Sequence, residues 1–343
     1  MQVGDPGQEI TGIMVALDAT PAVLDATIAA RCNLLLTHHP LIFKPLTSIS
    51  AATPQGRLLQ AAIAARVAVV SIHTSYDTAD GGLNDLLAGR LEVVDCRPLQ
   101  PGTAQQLAKL VAFVPDDHLD TVRSALFPFA EQLGAYCDCT FAAAGEGTFT
   151  PLEGAKPFIG TVAVREKVRE QRLELLIDRT NLARAIKALL ASHPYEEPAF
   201  DIYPLLNEGK YPGLGRIGTL AEPSTLSTYA QRIRNGLAAS GLRYVGDPDA
   251  IIRKVALCSG SGGSLLHNAV RAGADVLVTG DISYHHARDA EDAGIALIDA
   301  GHFATENIMA DGVAERLRPL LEAAGYDACR VEACRIQTDP FRI

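Results

Sequence analysis

The chain has 343 residues, is 48% hydrophobic and carries a formal net charge of −10. That is apolar material for a sizeable core and length for two or three domains. No run of Lys or Arg stands out, so an acidic chain of this kind has little electrostatic support for binding along a nucleic-acid backbone.

No apolar run is long enough to span a bilayer, and the start "MQVGDPGQEITG" has neither the basic nor the apolar region of a signal peptide. The seven cysteines (Cys32, Cys96, Cys137, Cys139, Cys258, Cys329 and Cys334) are odd in number and form no CxxC pair. Both facts favour reduced thiols, and so predict a soluble cytoplasmic protein.

In chain order, "IMVAL" reads as a buried strand. "PAVLDATIAARC" has helical spacing at Val23, Ala26 and Ala30, and "NLLLT" is a second buried strand that ends on His38 and His39. A third strand, "VAVVSI", ends in "HTSYDTADGGLND", with His73 and Asp77. These elements make a first α/β lobe over 1–98.

The next segment, 99–214, has a different character. "KLVAFVP" reads as a strand, "DHLDTVRSALF" as a helix and "YCDCTFAAAG" as a strand on which Cys137 and Cys139 alternate as packing residues. A Gly/Pro-rich stretch, "GEGTFTPLEGAKP", follows, then a strand "RLELLID", a helix "LARAIKALLASH" and a last strand "AFDIYPLL". The order β-α-β-β-α-β is the ferredoxin-like, split-βαβ plan. It predicts an inserted α+β domain, bracketed by "RPLQPGT" and "GKYPGLGRIG".

The remainder, 215–343, repeats the first lobe. A constant offset of 242 aligns "ITGIMVALDATPAVLDATIAARCNLLLTHHP" with "IRKVALCSGSGGSLLHNAVRAGADVLVTGDIS" without a gap. Ile10 meets Ile252, Leu24 meets Leu266, Ala30 meets Ala272, Leu35 meets Leu277 and Thr37 meets Thr279; Ile13 meets Val255. With gaps, "AARVAVVSIHTSYDTADGGLNDLLAGRL" then matches "AEDAGIALIDAGHFATENIMADGVAERL". Strands alternating with helices in both copies predict an α/β fold of duplicated lobes with mainly parallel strands.

Ligands of open α/β sheets sit outside the carboxyl ends of the strands, and there the unusual residues gather. Six of the nine histidines (His38, His39, His73, His285, His286 and His302) fall in four such loops. His302 and Glu306 are four apart, so a helix starting there projects both from one face. Asp77 and Glu306 add carboxylates. Three His and two carboxylates suit two borderline ions, Zn, Mn, Fe or Ni, better than Ca or Mg. His73, His285 and His286 are candidates for orienting partners or proton carriers.

"CSGSGGSLL" lies between a strand and a helix. Backbone N–H groups of Ser259, Gly260, Ser261, Gly262 and Gly263 are a candidate anion cradle; the same residues also read as a tight strand-to-helix turn. The stretch matches neither the P-loop nor the dinucleotide fingerprint, and the chain has no GxSxG elbow.

"LLLTHHPLIF", "HTSYDTADGGLNDLLA", "GLGRIGTL" and "TGDISYHHARDAEDAGIALIDAGHFATE" resemble the Nif-three-like family, also called GTP cyclohydrolase 1 type 2 homologs. The resemblance spans nearly the whole chain. The middle segment, with "HPYEEPAFDIYPL", is similar to the CutA/PII-like insert of longer bacterial members. The resemblance implies a dinuclear metal site on His38, His39, Asp77, His302 and Glu306, and a toroidal homohexamer with the sites facing an interior cavity. Family members usually carry an extra helical segment ahead of the position of "QVGD", which implies a different start for the first lobe here.

The expected function is a metal-dependent hydrolase acting on a nucleotide-like or pterin-like small molecule, with His285 or His286 shuttling protons. The alternative is a non-catalytic, metal-loaded ring with a regulatory or partner-binding role. A nucleic-acid scaffold has the least support.

Overall fold

Five consecutive buried residues make β1 (Gly12–Ala16), and Thr20 then caps α1 (Pro21–Ala29) by accepting the Val23 N–H. β2 (Leu34–Thr37) follows; Thr53 caps α2 (Pro54–Ala64) in the same way, with a proline in its first turn. β3 (Ala68–Ser71), α3 (His73–Thr78), α4 (Leu83–Arg90) and β4 (Val93–Pro101) complete this stretch. The chain then runs through β5 (Gln106–Pro115), α5 (Leu119–Leu126), β6 (Thr140–Phe149), β7 (Glu166–Asp178), α6 (Leu182–Ser192) and β8 (Phe200–Glu208). The last stretch holds β9 (Gly213–Thr225), α7 (Leu226–Gly236), β10 (Arg243–Val245), β11 (Ile251–Ser261), α8 (Leu266–Arg271) and β12 (Val276–Gly280). It ends with α9 (Tyr284–Ala293), β13 (Ala296–Asp299), α10 (His302–Glu306), α11 (Met309–Ala323) and β14 (Arg330–Ala333). This computed structural model describes residues 1–209 and 211–342.

Met1–Gly102 and Pro212–Ile343 form one compact unit, and Thr103–Tyr211 a second. The first unit has two sheets. One, in the order β14-β1-β2-β3, is parallel throughout; the other is β10-β13-β12-β11-β9-β4, parallel from β13 to β11 and antiparallel outside. The duplication is written into their registers. Ile13 pairs with Leu34 across β1 and β2, and adding 242 to each gives Val255 and Val276, which pair across β11 and β12.

Helices cover both faces of each sheet. Leu24, Leu58 and Leu59 close one face of the parallel sheet, and Met309, Val313 and Ala314 close the other. Those last three belong to α11, from the far end of the chain, and β14 beyond it pairs with β1. The first copy does the converse: Leu87, Ala88 and Leu91, in and just after α4, pack with Val255 and Val278 of the other sheet. The two copies therefore exchange their last helices, a detail that lobes over 1–98 and 215–343, the second pairing with the first, leave open. Helical periodicity shows that α4 and α11 have an apolar face; it does not say which sheet buries it.

Two further differences are local. The proline-bearing "RPLQP" lies largely inside β4 rather than in a linker, and "GLGRIGTL" lies inside β9. β4 is the outer strand of its sheet, where a proline costs no ladder bond. Cys137 and Cys139 precede β6 in a bend, with Asp138 at φ 55°, so they do not alternate on a strand. All seven cysteines are free thiols.

The second unit has one antiparallel sheet in the order β6-β7-β5-β8. Leu110, Leu126, Leu173, Leu175 and Leu189 form its core between the sheet and α5 and α6. The element order is the β-α-β-β-α-β of the sequence reading.

Candidate metal centre

Thr37 is the last residue of β2, yet the backbone stays tied to β1 for two more residues. His38 donates its N–H to the Ala16 carbonyl and His39 to that of Leu17. The hydroxyls of Thr37 and Ser71 both donate to the His39 carbonyl, at 2.8 and 3.3 Å. The two imidazoles are thus presented by a fixed turn.

The other groups come from two short helices at equivalent places in the duplication. α3 opens on His73 and carries Asp77 four residues on; α10 opens on His302 and carries Glu306 four residues on. Each pair shares one helix face.

These side chains meet. His38 Nε2 is 3.5 Å from Asp77 Oδ1 and 3.6 Å from Glu306 Oε1. Glu306 Oε2 is 2.9 Å from His39 Nε2 and 3.0 Å from His302 Nε2, and those two nitrogens are 3.4 Å apart. Ligand atoms of His38, His39 and His73 lie within 4.8 Å of one another, and so do those of His39, His302 and Glu306. His73 therefore belongs to the cluster itself, and His39 is common to both groups.

The contacts are short but poorly directed. Both ring nitrogens of His38, Asp77 Oδ1 and Glu306 Oε2 are buried with no hydrogen-bond partner. Buried orphan acceptors cost free energy unless something else satisfies them. Outside the cluster, bonding is well formed: His39 Nδ1 is 2.7 Å from Asp18 Oδ1, and His302 Nδ1 is 2.7 Å from Asp281 Oδ2. A carboxylate that accepts the Nδ1–H leaves the Nε2 lone pair facing inward. This is the arrangement by which carboxylates orient metal-ligating imidazoles. The donor set of nitrogen and oxygen atoms fits a borderline divalent ion.

Charge is tightly balanced. Asp18 and Glu306 push His39 up to about 10, and Glu306 and Asp281 push His302 up to about 9. Burial raises the Glu306 carboxyl, but His302, His38 and His39 outweigh it and hold that carboxyl far below the usual range. Burial lifts Asp77 to about 6 against the pull of His38, and burial also lowers His73, helped by His38 and His39. At neutral pH His39 and His302 hold protons that a metal ion must displace. Metal uptake is therefore expected to release protons from both residues and to tighten as pH rises from 6 towards 9. Calorimetric titration in buffers of different ionisation enthalpy reads the protons directly, and no proton release at pH 7 would contradict this charge state.

The glycine turn, the candidate anion cradle of the sequence reading, borders the cluster. Three of its five donors are already engaged: Ser259 N–H with Asn84 Oδ1, Gly260 N–H with Thr305 Oγ1 and Gly262 N–H with Thr279 Oγ1. Gly260, at φ 60°, runs directly against Glu306 Oε1, where a Cβ would overlap the carboxylate. The turn is a wall of the cluster. His285 and His286 point elsewhere: His285 is exposed beside Tyr284, and His286 packs over Gly263. Neither is among the converging groups.

Three supports escaped the sequence reading. Asp18 orients His39, Asn84 bridges the Asp77 carbonyl and the Ser259 N–H, and Gln337 Oε1 accepts the Leu17 N–H at 2.6 Å just before Asp18. A cavity of about 770 Å³ opens beside this cluster, with Asp18, His39, Arg243, Asp281, His302 and Phe303 in its lining.

Fold and cluster together define a mixed α/β protein with a His/carboxylate site that can hold a metal ion. The chain belongs to the Duf34/NIF3 (NGG1p interacting factor 3) family, whose profile matches residues 1–340. It is 43% identical over 340 residues to the GTP cyclohydrolase 1 type 2 homolog of Halalkalibacterium halodurans, covering 99% of this chain and 91% of that one. The Bacillus subtilis homolog of the same name is 40% identical over 342 residues, again 99% and 91%. The fold of this chain matches the crystal structure of a Bacillus cereus protein related to NIF3 with a TM-score of 0.84 at 38% identity, over 100% of this chain and 92% of that one. Among the described residues no helix is long and apolar enough to cross a membrane.

Proposed function

We propose that His38, His39, Asp77, His302 and Glu306 hold two divalent ions, of the Zn, Mn, Fe or Ni class, and that the protein is a metal-dependent hydrolase of a nucleotide-like or pterin-like small molecule. The observation that carries this reading is the convergence of buried nitrogen and oxygen atoms with no hydrogen-bond partner, on His38, Asp77 and Glu306. The name GTP cyclohydrolase 1 type 2 homolog, borne by the relatives, agrees with the reaction class. Two ions held there would supply an acidified water and a pair of positive charges.

The chain's own residues have separable tasks. Asp18 and Asp281 keep the Nε2 atoms of His39 and His302 turned inward, where a metal ion would replace the proton each holds. Burial, helped by His38 and His39, lowers His73 and so favours its neutral ring. The cavity beside His39 and His302 is of a size for a small-molecule substrate. In this reading 99–214 is an inserted domain, the assembly is a homohexamer and the protein works in the cytoplasm.

A turnover screen over nucleotides and pterins, with and without added Mn or Zn, tests the enzyme. His38→Ala and His302→Ala are each expected to bring bound metal well below two per chain by elemental analysis. Unchanged content would sink the ligand assignment. Full metal content with no turnover of any substrate would favour the second reading, a metal-loaded ring that binds a partner or effector.

A further inference from the structure

The second unit has a cavity of its own. It measures about 570 Å³, within the usual range of small-molecule sites, and all its lining lies between Phe113 and Ala199. The floor is the face of the sheet opposite the α5/α6 core. Across it, Ala143 stands beside Arg172 and Arg172 beside Phe113, while Gly145 stands beside Glu170. On β6 the residues at alternate positions 143, 145 and 147 are Ala, Gly and Gly, so this strand leaves room instead of filling it. Gly147 lies directly against Glu170 Oε2, with no space for a Cβ.

Aromatic rings form the walls. Tyr195 stands between Phe149 and Phe158, with ring centroids 6.0 and 6.3 Å away. Phe113 closes the floor. Tyr195 donates its hydroxyl to Glu170 Oε1 at 3.1 Å, and its backbone N–H is fixed by His193 Nδ1 at 3.1 Å. His193 is itself buried and tied to the Phe113 carbonyl at 3.0 Å. Burial and Glu170 push the Tyr195 phenol up, so it stays a donor at neutral pH.

The charges decide the ligand. Glu170, Glu196 and Glu197 line the cavity, and among the described residues none of the three has a Lys, Arg or His within ion-pair distance. Arg172, the basic residue of the lining, already gives its Nε–H to Glu174 at 2.8 Å. The result is a cavity of aromatic faces with uncompensated carboxylates. Aromatic faces and carboxylates both attract cations, and neither attracts anions. The geometry points to a ligand site in the second unit for an organic cation with a flat, apolar body. Glu170 faces its charge, and Phe149, Phe158 and Tyr195 cover its rings.

The probes are berberine, a planar fluorescent cation, and 8-anilinonaphthalene-1-sulfonate, a fluorescent anion of similar apolar character, titrated into the full-length protein. Berberine is expected to saturate at one per chain and to bind at least about tenfold tighter than the anion. Glu170→Gln keeps an acceptor for Tyr195 and removes only the charge. It is expected to weaken berberine at least about tenfold, as is Phe158→Ala. The double change Glu196→Gln/Glu197→Gln lies at exposed positions that carry no core packing, so its expected weakening is read on a folded protein. Equal or tighter binding of the anion overturns the inference. So does the absence of saturable berberine binding up to about 1 mM. Unchanged berberine affinity in all three variants overturns it as well.

Discussion

Glu306→Ala is expected to abolish stable metal binding outright. Glu306 is a carboxylate that reaches three imidazoles, with Oε1 near His38 and Oε2 near both His39 and His302. It joins the two ends of the cluster, so its loss should cost more than the roughly 10–100-fold that changes in supporting residues cost. The variant is expected to retain no metal through dialysis, by elemental analysis. Gly260→Ala should reach the same end by another route. It changes no ligand, but its Cβ would overlap Glu306 Oε1, and its backbone sits at φ 60°. Metal content near the parent value in both variants would remove Glu306 from the centre of the site.

The metal-free protein gives a second readout of the same carboxylate. Its folded-state pKa is depressed, so it contributes stability above its unfolded pKa, and that contribution is lost as pH falls through the folded value. Metal-free parent protein should therefore exceed Glu306→Ala in unfolding temperature at pH 7. The gap should narrow under strongly acid conditions. A constant gap down to pH 2 would mean that Glu306 acts through packing instead of charge.

Much of this site was legible because its elements are periodic. His302 and Glu306 were readable as one helix face, and the offset between the copies foretold a register that the strands keep. The same spacing in His73 and Asp77 was equally visible, and it was the available signal for placing His73 in the cluster. Asp18 left no such signal. It is one carboxylate in a loop, and its partner His39 arrives through the pairing of β1 with β2. Gly260 was readable as a turn glycine, but what it makes room for lies on α10. The exchange of α4 and α11 was hidden for a related reason: amphipathic spacing specifies a face and leaves its cover open.

Asp85→Ala is expected to cost the first unit about 3–5 kcal/mol, because it leaves a buried guanidinium uncompensated. Arg216, within "GLGRIGTL", is 3% exposed. Its Nε and Nη2 donate to Asp85 Oδ1 and Oδ2 at 2.6 and 2.7 Å, a bidentate pair. Nη1 donates to the Gly213 and Gly215 carbonyls, and Nη2 also to that of Ala79. All five guanidinium N–H groups therefore have a partner. At roughly 2–4 °C per kcal/mol for a unit of this size, the unfolding midpoint should fall by about 6–20 °C. The clamp holds more than the fold. It ties β9 to α4 and to Ala79, two residues beyond Asp77, so it fixes the end of the helix that carries that carboxylate. Asp85→Ala should therefore weaken metal binding at temperatures well below its own midpoint, although Asp85 touches none of the converging groups. Asp85→Asn, which keeps an acceptor for Arg216 but not the charge, should show both effects to a smaller degree. Scanning calorimetry and metal titration on the two variants separate the outcomes. A midpoint unchanged in Asp85→Ala would mean that Arg216 turns out to water instead of staying buried, and the link from this clamp to Asp77 would fail with it.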